Sequence, residues 1–260
     1  MSSDSRRATS LEFGKLPLAE VVARFTLAKP IQLTYDTVGR LGEKLRPDFP
    51  QLSEVSGVMV PPGISGGILV GPGILPGALF TGHALGLMVT LHQQMLGVKW
   101  ERQIGPNPPA YPGWKEVRDT LWSSQDALIE VLSPEGVPVC VANMVYANLI
   151  KPRTAETVLR DYFSKAVHSE VAMKGRPLHE LTISWRDEAP LDLRFHLQAT
   201  TVRGEEGFFR LATSAGITVG EAEEPRDLIE RLHDRLQAFF LEIISDHAKE
   251  EWGYQERPDA

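Results

Sequence analysis

The chain has 260 residues, of which 42% are hydrophobic and 23% are charged, as in an ordinary folded globular protein. Its 27 basic and 34 acidic side chains give a formal net charge of −7. That charge argues against an unspecific nucleic-acid binder, which needs a basic surface to neutralise phosphates. The single cysteine, Cys140, excludes an intramolecular disulfide and indicates a cytoplasmic protein.

The first half of the chain, residues 16–134, is predicted to form one helix-on-sheet unit. It follows a polar segment, residues 1–15, which lacks the apolar stretch of an export signal and is expected to be a flexible tail. Residue types and hydrophobic periodicity predict, in order, a strand at 18–27, a helix at 32–45, strands at 79–91 and 94–102, and a helix at 113–132.

A stretch without charged side chains runs from Val55 to Val98 and is rich in glycine and proline. A membrane-spanning helix needs about 20 continuous apolar residues, and prolines and glycines would interrupt it. We therefore expect a mobile apolar loop at 56–77 and no stable membrane span.

The second half, residues 135–254, predicts a second unit with the same order of elements. The expected elements are a strand at 137–150, a helix at 155–166, strands near 178–186, 190–203 and 207–219, and a long helix from Pro225. Apolar residues recur along that last helix at helical spacing, so one face must be buried. The predicted fold class is α+β, with antiparallel sheets covered by amphipathic helices in two similar halves, and an old duplication is a hypothesis.

Motifs for catalysis, metals and cofactors are missing from the sequence. The seven histidines are dispersed without zinc-ligand spacing, and the glycine-rich stretch has neither a P-loop nor a dinucleotide fingerprint. No Gly-x-Ser-x-Gly elbow is present. The sequence therefore predicts no metal and no cofactor, and it leaves open whether the protein is an enzyme.

One strand end carries a more informative pair. Tyr146 and Asn148 are two residues apart, so on a strand they point to the same face. A phenol beside an amide can bind a polar group. The favoured interpretation is nevertheless structural, with Asn148 satisfying backbone groups and Tyr146 packing under a helix.

Four segments, taken together, resemble a sporadically distributed bacterial family, the TIGR04255 family. They are Pro17–Val22 with Phe25, Tyr111–Trp114, Tyr146–Pro152, and Leu232–His233 with Phe239 or Phe240 and Trp252–Gly253. The chain departs from the family pattern at Val145, where an arginine is expected, and in the glycine- and proline-rich stretch. The resemblance implies a bacterial cytosolic protein of unknown activity and supplies no catalytic residues.

The first functional hypothesis is a binding protein of an accessory system, by analogy with defence or toxin neutralisation. The last 40 residues hold twelve acids and five bases, so their balance of −7 equals the charge of the whole chain. Glu230, Asp234 and Glu242 are the candidate partner surface, with the loop at 56–77 as a second one. The partner would be another protein or a second copy of the chain. The alternative interpretation of the charge is an ordinary solvated helix face.

The second hypothesis is an enzyme or small-ligand protein with a pocket between sheet and helices, under the loop at 56–77. The candidate lining residues are Glu20, Tyr146, Asn148, His233 and Trp252. This hypothesis requires all five side chains to converge in one cavity.

Overall fold

The structure is a computed structural model that describes residues 12–13, 17–55, 71–82, 86–102, 110–133, 137–150, 155–164, 180–186, 191–200, 208–220 and 223–255. The strands are β1 (Glu12–Phe13), β2 (Leu18–Leu27), β3 (Gln51–Glu54), β4 (Gly77–Thr81), β5 (Leu87–His92), β6 (Met95–Glu101), β7 (Val139–Ile150), β8 (Glu180–Arg186), β9 (Leu191–Thr200), β10 (Phe208–Thr218) and β11 (Tyr254–Gln255). Nine of them form one antiparallel sheet in the order β3-β4-β5-β6-β2-β7-β10-β9-β8, and β1 pairs separately with β11.

The helices of the described residues are α1 (Tyr35–Leu45), α2 (Trp114–Leu132), α3 (Ala155–Tyr162), α4 (Pro225–Ile243) and α5 (Asp246–Glu251). Helix α2 packs on β2, β5 and β6, and α4 packs on β7 and β10. Helix α1 contacts α2 and β4. All three lie on the same face of the sheet, which is called the helix face below, and no described helix packs on the other face.

The hydrophobic pattern of the sequence explains this arrangement. The predicted apolar stripe of α4 is buried, from Leu228 at 1% exposed to Ile243 at 4%, and each such side chain contributes roughly 1.5–3 kcal/mol when it leaves water. On β2, the alternate residues Val21, Ala23 and Phe25 are fully buried on the helix face. Between them Val22 and Arg24 are only partly buried, as expected where one face of a strand points to the core.

The α+β prediction is confirmed, and the first strands of the two halves, β2 and β7, pair at the centre of the common sheet. After its first strand each half runs through a helix, further strands and a long helix. Within the described residues, no helix is both long and apolar enough to cross a membrane.

Some predicted boundaries were wrong. The expected strand at 79–91 is two strands, β4 and β5, because the chain turns between them at Gly86, which has a φ of 66°. Helix α4 ends at Ile243, and Ser245 starts α5 by accepting a hydrogen bond from the Ala248 amide at 3.1 Å. Most of the expected loop, residues 56–70, lies outside the described residues, whereas Leu75 is buried and donates its amide to the Leu33 carbonyl at 2.7 Å.

Candidate functional site

Three elements meet at His233. This residue lies on α4, and its Nδ1 is 2.7 Å from the Tyr146 hydroxyl on β7. Its ring stacks on Trp114 at the start of α2, with centroids 4.5 Å apart and planes 9° from parallel. On the same helix, Nε2 of His233 lies 2.9 Å from the Gln237 amide nitrogen. The histidine therefore joins both long helices to the central sheet.

Burial keeps this histidine neutral. Loss of solvent, followed by the positive charge of Arg118, lowers the pKa of His233 to about 4. Burial also raises the pKa of Tyr146, and Tyr111 adds to that effect. The Tyr111 hydroxyl is itself buried and makes no well-formed hydrogen bond among the described residues. Near neutral pH Tyr111, Tyr146 and His233, which we call the buried cluster, are therefore uncharged. The Tyr146 hydroxyl and the His233 imidazole share one hydrogen bond.

The Glu230 carboxylate lies next to the buried cluster and accepts two hydrogen bonds. Glu230 accepts hydrogen bonds from the Trp114 indole nitrogen at 3.0 Å and from the Arg118 guanidinium at 3.1 Å. These bonds fix the indole that stacks on His233. Glu230 thus serves an internal contact between α2 and α4, although its side chain remains 33% exposed.

Asn148 also lies on the helix face of β7, where it is 1% exposed. Its Oδ1 has no hydrogen-bond partner among the described residues, and the same holds for Thr213 Oγ1 and Trp100 Nε1. Strand pairing places Trp100 beside Val21, Val21 beside Tyr146, and Tyr146 beside Thr213. A row of buried polar groups therefore crosses the centre of the sheet under the helices.

The two remaining pocket candidates lie elsewhere, so the five predicted residues do not line one cavity. Glu20 is on the opposite face of β2, because it differs by one residue from Val21 in the two-residue alternation. Trp252 follows α5 and stacks on Phe240 and Tyr162, with centroids 5.9 and 5.5 Å apart. Of the five, the structure groups Tyr146, Asn148 and His233 under the helices.

The acidic candidates on α4 have different environments. Glu230 is occupied by Trp114 and Arg118, as described above, and Glu242 pairs with Arg235 at 2.9 Å. Asp234 is exposed, and it has no ion pair among the described residues. One of the three carboxylates is therefore available without breaking an existing contact.

The second face of the sheet carries charged and polar side chains that the sequence analysis did not select. We call it the open face, and at its centre it comprises Glu20, Val22, Arg24, Lys99, Asn143, Val145, Arg210 and Ser214. Glu20 bridges two strands by pairing with Lys99 at 3.6 Å and with Arg210 at 3.1 Å. The available sequence signal was a charge such as Arg24 in the middle of an apolar strand.

Arg24 and Asn143 form the centre of the open face. Arg24 Nε donates to Asn143 Oδ1 at 2.9 Å, and Asn143 Nδ2 donates to the Ala215 carbonyl at 2.9 Å. Burial lowers the pKa of Arg24. The Asn143 amide thus links the Arg24 guanidinium on β2 to the backbone of β10.

The described residues contain no group of three or more His, Cys, Asp or Glu side chains that is able to hold a metal ion. No protein-family model matches the chain, and no curated protein shows significant sequence similarity to it.

Proposed function

We propose that this chain is a binding protein that recognises a protein partner through the open face of its sheet. The observation that carries the proposal is a cross-strand charge network on a sheet face that no described helix covers. Side chains at its centre, including Val22, Val145 and Ser214, are partly exposed. A broad sheet face that mixes apolar and charged groups has the composition of a non-obligate interface.

Charge favours an acidic partner. The described side chains of this face include Arg24, Lys99, Arg210 and the exposed Arg194, which pairs with Ser214 across strands β9 and β10. The described acidic side chains of this face are those of Glu20 and Glu101. The described side chains of this face thus carry a net positive charge in a protein whose total charge is −7, and such a patch attracts and orients an acidic surface.

Other parts of the proposal rest on the sequence. With a single cysteine the chain forms no internal disulfide, which supports a cytoplasmic location. The resemblance to the TIGR04255 family supports a bacterial accessory role and remains a hypothesis.

Matched tryptophan substitutions test the choice of surface. Val145→Trp places an indole at the centre of the open face, and Ala238→Trp places one at an exposed position of α4. We expect affinity-tagged wild type and Ala238→Trp to retain a stoichiometric partner from the natural host, and Val145→Trp to lose it. Capture of no partner, or equal capture by Val145→Trp, contradicts the proposal.

A third variant tests the acidic helix within the same experiment. Asp234→Lys combined with Glu242→Lys reverses two charges on α4 and leaves Glu230 bound to Trp114 and Arg118. Loss of the partner in this variant alone moves the interface to α4.

A second candidate function is the binding of a small polar molecule between sheet and helices. It is favoured by the unpartnered polar atoms of Asn148, Thr213 and Trp100, because buried polar groups normally have partners. Native mass spectrometry of gently purified protein tests it. A retained small molecule that is absent from Asn148→Leu supports this function, and an unliganded mass in both proteins contradicts it.

A further inference from the structure

We propose that Arg24 and Asn143 form a carboxylate-binding site that receives an Asp or Glu side chain of the partner. This inference rests on the proposed function, since it assigns the anchor point within the open face. The reasoning starts from the charge of Arg24.

Arg24 differs from the other partly buried arginines. Four other arginines have described side chains that are not fully exposed, and each contacts a carboxylate. The pairs are Arg118 with Glu230, Arg210 with Glu20, Arg226 with Asp126, and Arg235 with Glu242. Arg24 has no carboxylate within ion-pair distance among the described residues. Its side-chain contacts are Asn143 and, at 4.0 Å, the Met95 sulfur.

A partly buried charge without a counter-charge is costly for the folded protein. Burial lowers the pKa of Arg24, yet a guanidinium does not lose its proton in proteins. An anion that binds Arg24 therefore forms a charge-assisted hydrogen bond. Part of the desolvation of Arg24 has already occurred in the folded protein, so binding does not have to supply it. The site is preorganised, because Asn143 already holds Arg24 in place before the anion binds.

Glycines occupy the positions beside this pair on the neighbouring strands. Arg24 pairs with Gly97 on one side and Asn143 on the other, and Asn143 pairs with Gly216. A Cβ atom at Gly97 would lie 3.2 Å from Arg24 Cβ, and one at Gly216 would lie 3.2 Å from Asn143 Nδ2. Two glycines thus flank the pair and let both side chains lie across the sheet.

The charge balance favours a carboxylate over a phosphate. Along the adjacent part of the face, Lys99 and Arg210 pair with Glu20 and Glu101, so Arg24 is the partly buried cation there that has no carboxylate partner among the described residues. A carboxylate carries one negative charge and accepts the planar fork of an arginine. A phosphate monoester carries nearly two and would meet the Glu20 carboxylate on the same face.

The test uses a capped hexaglutamate peptide as the probe and inorganic phosphate as the competing anion, both at matched ionic strength. Isothermal titration calorimetry and the ¹⁵N shift of the arginine Nε groups report binding. Arg24→Gln is the main variant, and Arg102→Gln, which removes an exposed arginine at the end of β6, is the matched control. Arg24→Lys keeps the charge and loses the fork.

We expect hexaglutamate to bind wild type and Arg102→Gln equally and Arg24→Gln about tenfold more weakly or worse, as for loss of a charge-assisted contact. Arg24→Lys should recover part of the affinity. Equal binding by Arg24→Gln, no binding to wild type, or tighter binding of phosphate than of hexaglutamate overturns the inference. Thermal unfolding of each variant identifies any loss of folding, in which case Arg24→Lys decides.

The two proposals fail differently. If partner capture is lost in Val145→Trp but kept in Arg24→Gln, the open face is the interface and the anchor assignment is wrong. If hexaglutamate binding depends on Arg24 while Val145→Trp still captures the partner, the site exists and the interface lies elsewhere.

Discussion

The stability of this protein should depend on pH in part through His233, and substituting that residue should remove its share of the dependence. The folded protein holds the pKa of His233 at about 4, against about 6.5 for a histidine in an unfolded chain. Because the folded value is the lower one, the unfolded chain binds more protons between these pH values. The stabilisation is complete above pH 6.5 and is lost as the pH falls towards 4. Over that interval it amounts to roughly 3 kcal/mol.

Urea unfolding of wild type and His233→Gln at pH 7.0, 5.5 and 4.5 measures this contribution. Between pH 7.0 and 4.5 the free energy of unfolding of wild type should fall by about 2 kcal/mol more than that of the variant. Other histidines titrate in both proteins, including His92, whose pKa is also lowered by burial, so they cancel in the comparison. Parallel pH curves for the two proteins would refute the assignment of a buried neutral imidazole.

Two further predictions concern packing and hydrogen bonding. Gly77→Ala places a Cβ 2.6 Å from His92 Nδ1 and 2.8 Å from the Leu91 carbonyl, and thermal unfolding should show a loss of about 1–3 kcal/mol. Gly39→Ala meets nothing within 4 Å on helix α1 and should stabilise by about 0.5–1 kcal/mol. Trp114→Phe loses the bond to Glu230, and its melting temperature should fall by about 2 °C for each 1 kcal/mol lost. The melting temperature of Trp122→Phe should fall less, because the Trp122 indole nitrogen has no hydrogen-bond partner among the described residues.

The sequence predicted elements better than contacts. The stripe of α4 and the β-branched run of β2 were readable, because burial imposes periods of 3.6 and 2 on a chain. Tyr146 and His233 are 87 positions apart, and Arg24 and Asn143 are 119 apart. Periodicity states which residues share a face of their own element. It does not state which strands pair or which face the helices cover.

Strand parity explains why the candidate pocket divided. Tyr146 and Asn148 share the helix face with Val21, whereas Glu20 lies one position away and faces the other side. The alternation that separates the two faces was present in the sequence, since Glu20, Val22 and Arg24 alternate with Val21, Ala23 and Phe25, which are fully buried. Using it required knowledge that the helices cover only the apolar side of this strand.

The two faces of the sheet support different chemistry because they differ in their access to solvent. Under the helices a charge would lose its hydration, so His233 stays neutral and Tyr146 keeps its proton. On the open face Glu20 of β2 pairs with Lys99 of β6 and with Arg210 of β10, where water still screens each charge. A protein partner reaches the open face without displacing any described helix, whereas it reaches the row under α2 and α4 only by separating them. The open face is therefore where a substitution should affect partner binding without separating the helices from the sheet.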